Sequence, residues 1–505
     1  MKKRIIISFS LFAGILAGMA ACNKSFLVPN PQGTVLQSDY YQNPAEALNG
    51  IVAAYNPLSW TTVSSYCPKM VIFNAASDDC YSGGGGTSDN PGIQAINTFT
   101  LAAATPNVPP DLWSRNYTGI FRVNTMLSEL PTVPGLSADL LTQYTAEMHF
   151  LRAYYYFDLV REFGNVPLIT TVLQQNQFYT ELQVPPAQVY AQIEADLDAA
   201  IPNLPATVDV TTDGGRATKG AAQALLGKAI IYENNTARMT EAAAHLDSVN
   251  TSPNYSLLPN FGDIFIPTNK FNSESVFEIV HSGTAGLTWS NFSDDVGNVG
   301  VQMAGARSYS GPVYESNTAG YGFNPVTPDL VAAMQNDPRY PYTIINMDSL
   351  VAAGYCSYVP GYLNTGYFVA KFAPLAAYQS TTGVIPLNWT NDEIEIRLAD
   401  TYLLEAEALV RGGGTSPSGK TAQNYLDAVR ARVGLPSVPA TLTNIYNERR
   451  LELATEGSRF FDLVRTGQAA SVLASKGFTA NKNEILPIPL QELNNTKLVQ
   501  NPGYN

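Results

Sequence analysis

Charge, histidine and cysteine are all scarce in this chain of 505 residues, and each scarcity removes a class of function. Charged residues make up 14%, with 29 Lys and Arg against 42 Asp and Glu. Without a basic block the chain lacks the phosphate neutralisation on which nucleic-acid binding rests, and any electrostatic hold on anionic lipid. His149, His245 and His281 are the only histidines, a poor supply for imidazole catalysis or metal binding, and His149 falls in an apolar-periodic segment that reads as structural. The four cysteines have no zinc-type spacing. Phosphate loops and nucleophile elbows are missing as well. Asp78-Asp79 and Asp294-Asp295 are adjacent pairs whose side chains diverge, unlike the facing carboxylates of a glycoside hydrolase. Asp294-Asp295 does not have the spacing of a calcium loop, so no metal and no cofactor is expected. Beyond residue 17 no apolar run approaches the roughly 20 residues of a spanning helix.

What is present begins at the start. Lys2-Lys3-Arg4, an apolar run from Ile5 to Ala17 and Met19-Ala20-Ala21-Cys22 make an export signal over residues 1–21. The junction resembles a bacterial lipoprotein box, which makes Cys22 the acylated first residue of the mature chain. Several acyl chains on one cysteine hold far more firmly than one. Residues 22–42 then read as a tether, with Pro29 and Pro31 blocking helix. Cys67 and Cys80 flank a short loop and are candidates for a disulfide in an exported chain. Cys356 reads as buried.

Apolar periodicity predicts helices over 43–54, 113–129, 136–163, 186–200, 218–233 and 240–248, and again over 396–411, 421–433 and 444–457. Pro44 and Pro186 fall just inside helix starts. The alternation of helix, turn and helix suggests stacked hairpins of tetratricopeptide type. Two regions break the pattern. Residues 59–110, with Gly83–Gly86 at their centre, read as long surface loops, and residues 251–390 as a loop-rich insertion with short strands near 275–280 and 367–372. The chain therefore divides into an N-terminal helical region, 43–250, and a C-terminal region, 251–505, whose helices run over 396–467.

Several blocks then carry a resemblance. They are AEMHFLRAYYYFDLVREFGNVPL (146–168), GRATKGAAQALLGKAIIY (215–232), IRLADTYLLEAEAL (396–409), LDAVRARVGLP (426–436), NERRLELATEGSRFFDLVRTG (447–467), NEILPIP (483–489) and the terminal QNPGY. Together, and in this order, they resemble the SusD/RagB-like family of outer-membrane nutrient-binding lipoproteins. The resemblance implies a mostly α fold of about four tetratricopeptide-like pairs with a loop-rich, minor-β ligand-binding part. It implies a non-catalytic glycan-binding lipoprotein of the cell surface that delivers its ligand, as a hinged lid, to a SusC-like TonB-dependent transporter. In the RagB branch the ligand is a peptide instead. Residues 23–26 contain no acid, a departure from the signal often associated with surface export in such bacteria. The blocks themselves read as scaffold, with Glu448, Arg449, Glu452, Glu456, Arg459 and Asp462 as ion-pairing candidates.

The ligand residues must therefore lie in the variable loops. Sugars offer flat C–H faces to aromatic rings and hydroxyl edges to amides, carboxylates and arginines. Of four tryptophans, Trp113 and Trp389 read as packing, Trp60 is undecided, and Trp289, in a polar glycine-bearing stretch, is the candidate platform. Tyr81 beside Asp79 and the glycine run, and Tyr309 and Tyr314 with Arg307, are candidates for the rest of the surface. The aromatic supply of 28 Tyr favours glycan over peptide.

Overall fold

The computed structural model describes residues 40–61, 68–290, 296–311, 320–412 and 414–504. The signal, Cys22, most of the tether, Cys67, Asp294-Asp295 and Tyr314 lie outside the described residues.

Eight helices form the frame: α1 (Pro44–Tyr55), α2 (Val108–Glu129), α3 (Ala138–Phe163), α4 (Pro186–Ala200), α5 (Lys219–Glu233), α6 (Met239–Asn250), α7 (Leu398–Gly412) and α8 (Ala422–Arg432). Each packs on the next, so that four helix pairs make one continuous stack. Their starts are fixed by local chemistry. Asn43, Ser137, Thr218 and Thr421 cap the first turns of α1, α3, α5 and α8 through their side-chain oxygens, and at α8 Asn424 completes a capping box. Gly164, at φ +71°, ends α3.

The apolar stripe expected on one face of α3 is wider than its periodicity suggests. Leu151, Ala153, Tyr154, Tyr155, Tyr156 and Phe157 are all buried, so α3 is enclosed on every side and is the central helix of the stack. Its tyrosines end in hydrogen bonds that cross to other elements: Tyr155 to the Ala54 carbonyl at 2.7 Å and Tyr156 to the Ile169 carbonyl at 2.9 Å. The ring of Tyr155 also explains Gly119 in α2, where an added Cβ would lie 2.2 Å from it. His149 is structural, its Nδ1 sitting 2.7 Å from Asp196 of α4.

Strands are few and short. β1 (Val166–Pro167) pairs with β2 (Gln183–Val184) between α3 and α4. β3 (Ser275–Ile279) pairs antiparallel with β6 (Glu393–Arg397), and β4 (Ile344–Asn346) with β5 (Tyr367–Val369). Two expectations are corrected here. Residues 393–397 form a strand where helix was expected from 396, because Glu393-Ile394-Glu395-Ile396 alternates with period two and pairs with β3. Residues 59–110 are not mainly surface loop. They contain helices Lys69–Ala75 and Pro91–Asn97, and Val71, Ile72 and Phe73 are in the core, with Phe73 packed on Phe461 at 4.4 Å between ring centroids.

The insertion is locked to the frame by buried ion pairs. After α8 come α9 (Leu442–Glu452) and α10 (Arg459–Arg465). Glu452 at the end of α9 accepts from Arg339 and Arg397, at 2.7 and 2.6 Å, and from Arg432. Arg397 also reaches Glu274 at 3.0 Å and Glu456 at 2.8 Å. Glu452, Arg339 and Arg397 are buried and the Arg432 side chain is nearly so, and removing one partner strands charge in a low-dielectric interior. Burial alone would raise the carboxyls of Glu456, Asp462 and Asp400, but neighbouring Arg and Lys outweigh it and hold each below its ordinary value. Two outcomes are expected. Glu452→Gln lowers unfolding stability by about 3–5 kcal/mol in urea titrations. Because these carboxyls are depressed in the folded state, their stabilisation is complete above about pH 4.5 and is lost as pH falls below it, which acid titration followed by circular dichroism reads directly.

Candidate functional site

Of the predicted ligand residues, Asp79, Tyr81, Arg307 and Tyr309 fall where the 78–85 loop meets a part of the insertion built without regular strands. Four segments hydrogen-bond edge to edge. Cys80 and Gly83 bridge to Val326 and Phe323; Arg307 bridges to Gly320; Ser310 bridges to Ser357. Gly84 donates to the Gly322 carbonyl, Tyr362 donates to the Gly84 carbonyl, and Val359 donates to the Arg307 carbonyl, each at 2.8 Å. The result is one mesh of 80–84, 305–310, 320–326 and 357–362.

Glycine makes this mesh possible. Gly83 sits at φ +72°, and an added Cβ would lie 2.2 Å from the Gly322 carbonyl oxygen. Gly83 thus serves backbone-to-backbone approach inside the protein, and at Gly84, φ +88°, an added Cβ would meet the Phe323 ring at 2.9 Å. Gly85 differs. It is exposed, and the Arg307 guanidinium lies 3.1 Å from the position its Cβ would take, so the arginine lies flat across the tip of the loop. Arg307 is steadied by donation to the Tyr321 carbonyl at 3.3 Å. Tyr81 is half-buried at the root of the same loop, with the Lys476 ammonium 5.9 Å from its ring centroid.

Two predicted residues are corrected. Asp79 is fully buried and bound to Arg450 at 2.9 Å, out of reach of a ligand. Its neighbour Asp78 binds Arg459 through both oxygens at 2.8 and 3.0 Å. Burial raises both carboxyls. At Asp78 the Arg459 bonds outweigh it and the group falls below its usual range, whereas at Asp79 burial wins and the group is raised. Lys476 completes the clamp by donating to the carbonyls of Ala75, Ser77 and Cys80 at 2.6, 2.7 and 3.1 Å. The acid pair therefore fastens the loop from beneath. Tyr309 is the second correction: it is buried in a small core with Ile345, Met347 and Phe368 and supports the mesh without forming its surface. Cys80 is buried, and its pairing with Cys67 lies partly outside the described residues. Cys356, expected buried, is half-buried, its Sγ 3.6 Å from Met347 Sδ.

The tryptophans sort cleanly. Trp113 is buried, and so is Trp389, which donates to Gln302 at 3.0 Å. Trp60 is half-buried and donates to Asn56. Trp289 is 46% exposed. Its loop is stapled by the buried Asn388, which accepts from the Leu287 N–H and donates to the Leu287 carbonyl, both at 2.9 Å. Through Trp389 and Gln302 this staple rests on helix Val299–Ala304, which runs on into the Arg307 segment. Trp289 thus stands on a loop of its own, anchored to the element that also leads to Arg307.

One stretch was not singled out in the sequence. Residues 355–362 (YCSYVPGY) form the far side of the mesh, with Tyr355 exposed and Tyr358 and Tyr362 half-buried. Tyr358 donates to Asp348 at 2.6 Å. Its signal was legible: three tyrosines interrupted by Pro and Gly, the composition of an aromatic surface loop.

Similar proteins are known. Residues 333–504 match the family model described as the SusD family, and residues 86–231 match one described as starch-binding associating with outer membrane. A solved laminarin binding SusD-like protein is 46% identical, with a TM-score of 0.86 over 92% of this chain and 100% of that one. Surface glycan-binding protein A from Bacteroides thetaiotaomicron, in complex with laminarihexaose, is 28% identical, with a TM-score of 0.80 over 91% of this chain and 100% of that one. A SusD-like protein of Formosa agariphila is 24% identical over 95% of this chain and 96% of its own length.

The two kinds of predicted residue should separate in experiment. Asp79→Ala leaves the partly buried Arg450 short of a partner and costs about 1–3 kcal/mol of stability. Trp289→Ala, at an exposed site, changes it by less than about 0.5 kcal/mol in the same denaturation assay.

Proposed function

The chain belongs to the SusD/RagB family, and from that premise we propose that it is a non-catalytic glycan-capturing lipoprotein whose ligand is a laminarin-type glucan. The observation that carries this reading is the 46% identity, across 92% of the chain, to a protein named for laminarin binding. The chemistry of the mesh and of the separate Trp289 loop agrees with it. Trp289 offers a flat, solvent-facing ring, and Arg307 offers donors held in place over Gly85. Tyr81 and the tyrosines of 355–362 add rings with polar tips. Rings of this kind take the C–H faces of a sugar, and fixed donors take its hydroxyls, without any bond being made or broken.

In this reading Cys22 carries the acyl anchor, the body stands on the outer face of the outer membrane, and Tyr314 extends the ligand surface. A SusC-like TonB-dependent transporter receives the glycan while this protein acts as its hinged lid. Two proteins held at one membrane gain effective concentration, so each contact between them can be weak. Names of relatives as glycan-binding proteins support capture without hydrolysis.

Affinity electrophoresis tests the proposal. The mature chain should be retarded in gels containing laminarin. Trp289→Ala and Arg307→Ala, with folding intact, should each weaken binding up to about tenfold, the effect of losing about 0.5–1.5 kcal/mol of ring or donor contact. Absence of retardation by laminarin and by other polysaccharides would reject glycan capture and favour a peptide ligand.

A further inference from the structure

Where the insertion meets the helical stack there is a hollow of about 80 Å³. One water needs only about 10–15 Å³, so the space suits something larger. Its wall is drawn from both parts of the protein. Arg161 of α3 and Lys228 of α5 come from the stack, Glu278 from β3, and Phe265, Lys270 and Phe372 from the insertion. No residue of its wall belongs to the mesh or to the Trp289 loop.

The charges in this wall exclude an ion. Lys69 pairs with Glu395 at 2.7 Å, Lys228 with Asp400 at 3.0 Å and Lys270 with Asp392 at 2.5 Å, and Arg161 pairs with Asp158. Each of these cations is already matched by a carboxylate, so an anion would be desolvated without a new partner. Four cations around one small space also repel a fifth.

Hydrogen-bonding capacity is what the wall has left over. Asn391 is 6% exposed, and its Oδ1 has no hydrogen-bond partner among the described residues. Next to it, Asp392 accepts at Oδ1 from Lys270 at 2.5 Å and from the His281 N–H at 2.7 Å. Its Oδ2 receives no N–H and has the Glu278 carboxyl as its neighbour. Glu278 stands opposite Ile394 in the β3–β6 register, two residues from Asp392. Burial, and then the charge of Asp392, push the Glu278 carboxyl up to about 8, so at neutral pH it keeps its proton and can donate. An amide, a carboxylate and a protonated carboxyl together offer both acceptors and a donor. Hydroxyl groups, each donor and acceptor at once, answer that set. Phe265 and Phe372, with ring centroids 6.1 Å apart, supply the apolar side of the hollow.

We propose that this hollow is a second binding site, for a small neutral polyol the size of one sugar ring or less. Its hydroxyls meet Asn391, Asp392 and Glu278, and its carbon skeleton lies toward Phe265 and Phe372. An occupant there touches stack and insertion together and tightens the seat of one on the other. The site does not depend on which polymer the mesh takes.

Binding of glucose and of glycerol to the mature chain, followed by saturation-transfer NMR, tests it. Asn391→Leu keeps the volume of a side chain with no described hydrogen bond, and the Asn391 backbone carbonyl still accepts from Asn298. Ser458→Phe fills the hollow from another side. At least one of the two probes should bind saturably, at least tenfold more weakly in each of these variants and unchanged in Trp289→Ala. Retardation by laminarin should survive in Asn391→Leu, which separates this site from the glycan surface. The proposal is overturned if neither probe binds saturably, if Asn391→Leu and Ser458→Phe bind as the wild type does, or if Trp289→Ala abolishes binding. Crystals soaked in glucose and in glycerol that show only water in the hollow would overturn it equally.

Discussion

The contact on which this structure most depends is the buried carboxylate of Glu452 with its three guanidinium partners, Arg339, Arg397 and Arg432. Each comes from a different part of the chain. Arg339 belongs to the insertion, Arg397 ends β6, and Arg432 ends α8. A buried ion pair adds little net stability over a well-packed apolar substitute, yet removing one partner is costly, so its main effect is to permit only one arrangement. Here that arrangement is the seating of a glycine- and tyrosine-rich insertion on a helical stack. Glu456 extends the same network through Arg397 and Lys371, and Glu274 joins it from just before β3. Frame and insertion therefore fold as one unit although as many as 158 residues, between Glu274 and Arg432, separate the partners.

The ligand-facing loops hang from the same stretch of chain. Arg450 lies two residues from Glu452 and grips Asp79; Arg459 opens α10 and grips Asp78; Lys476 follows and holds three carbonyls of the 75–80 segment. Residues 450–476 thus fix the underside of the loop whose tip, at Gly85, lies beneath Arg307. A mesh made of bridges and glycine contacts has little intrinsic order of its own, since its segments are too short for regular sheet. Its shape is imposed from below by salt bridges. That is how an irregular surface is held ready for a ligand without first paying the full entropy of ordering.

Much of the frame was legible because its signals are local. Periodicity, prolines at helix starts and Ser/Thr/Asn caps placed the boundaries of α4 exactly and those of α3 and α8 within two residues. The strand at 393–397 was missed although its Glu-Ile alternation is also local; the strong helix that follows masked it. The site was less legible for a different reason. An acid beside tyrosine and glycine in a loop looks the same whether it faces a sugar or an arginine, and Arg450 is 371 residues from Asp79. Tyr309 failed similarly, since its burial depends on Ile345, Met347 and Phe368, which belong to β4, the residue after it and β5. Trp289 was legible because its neighbours are polar, and a tryptophan among them has little local core to enter.

The central claim is that this exposed tryptophan is the platform on which a glucan lands, and its own fluorescence tests it most directly. Trp113 and Trp389 are buried and Trp60 is half-buried, so Trp289 is the tryptophan whose surroundings a surface ligand changes most. Titration with laminarin should give a saturable blue shift of the emission that disappears in Trp289→Phe while the fold is retained. An emission unchanged by laminarin, or a shift equally large in Trp289→Phe, would contradict the account.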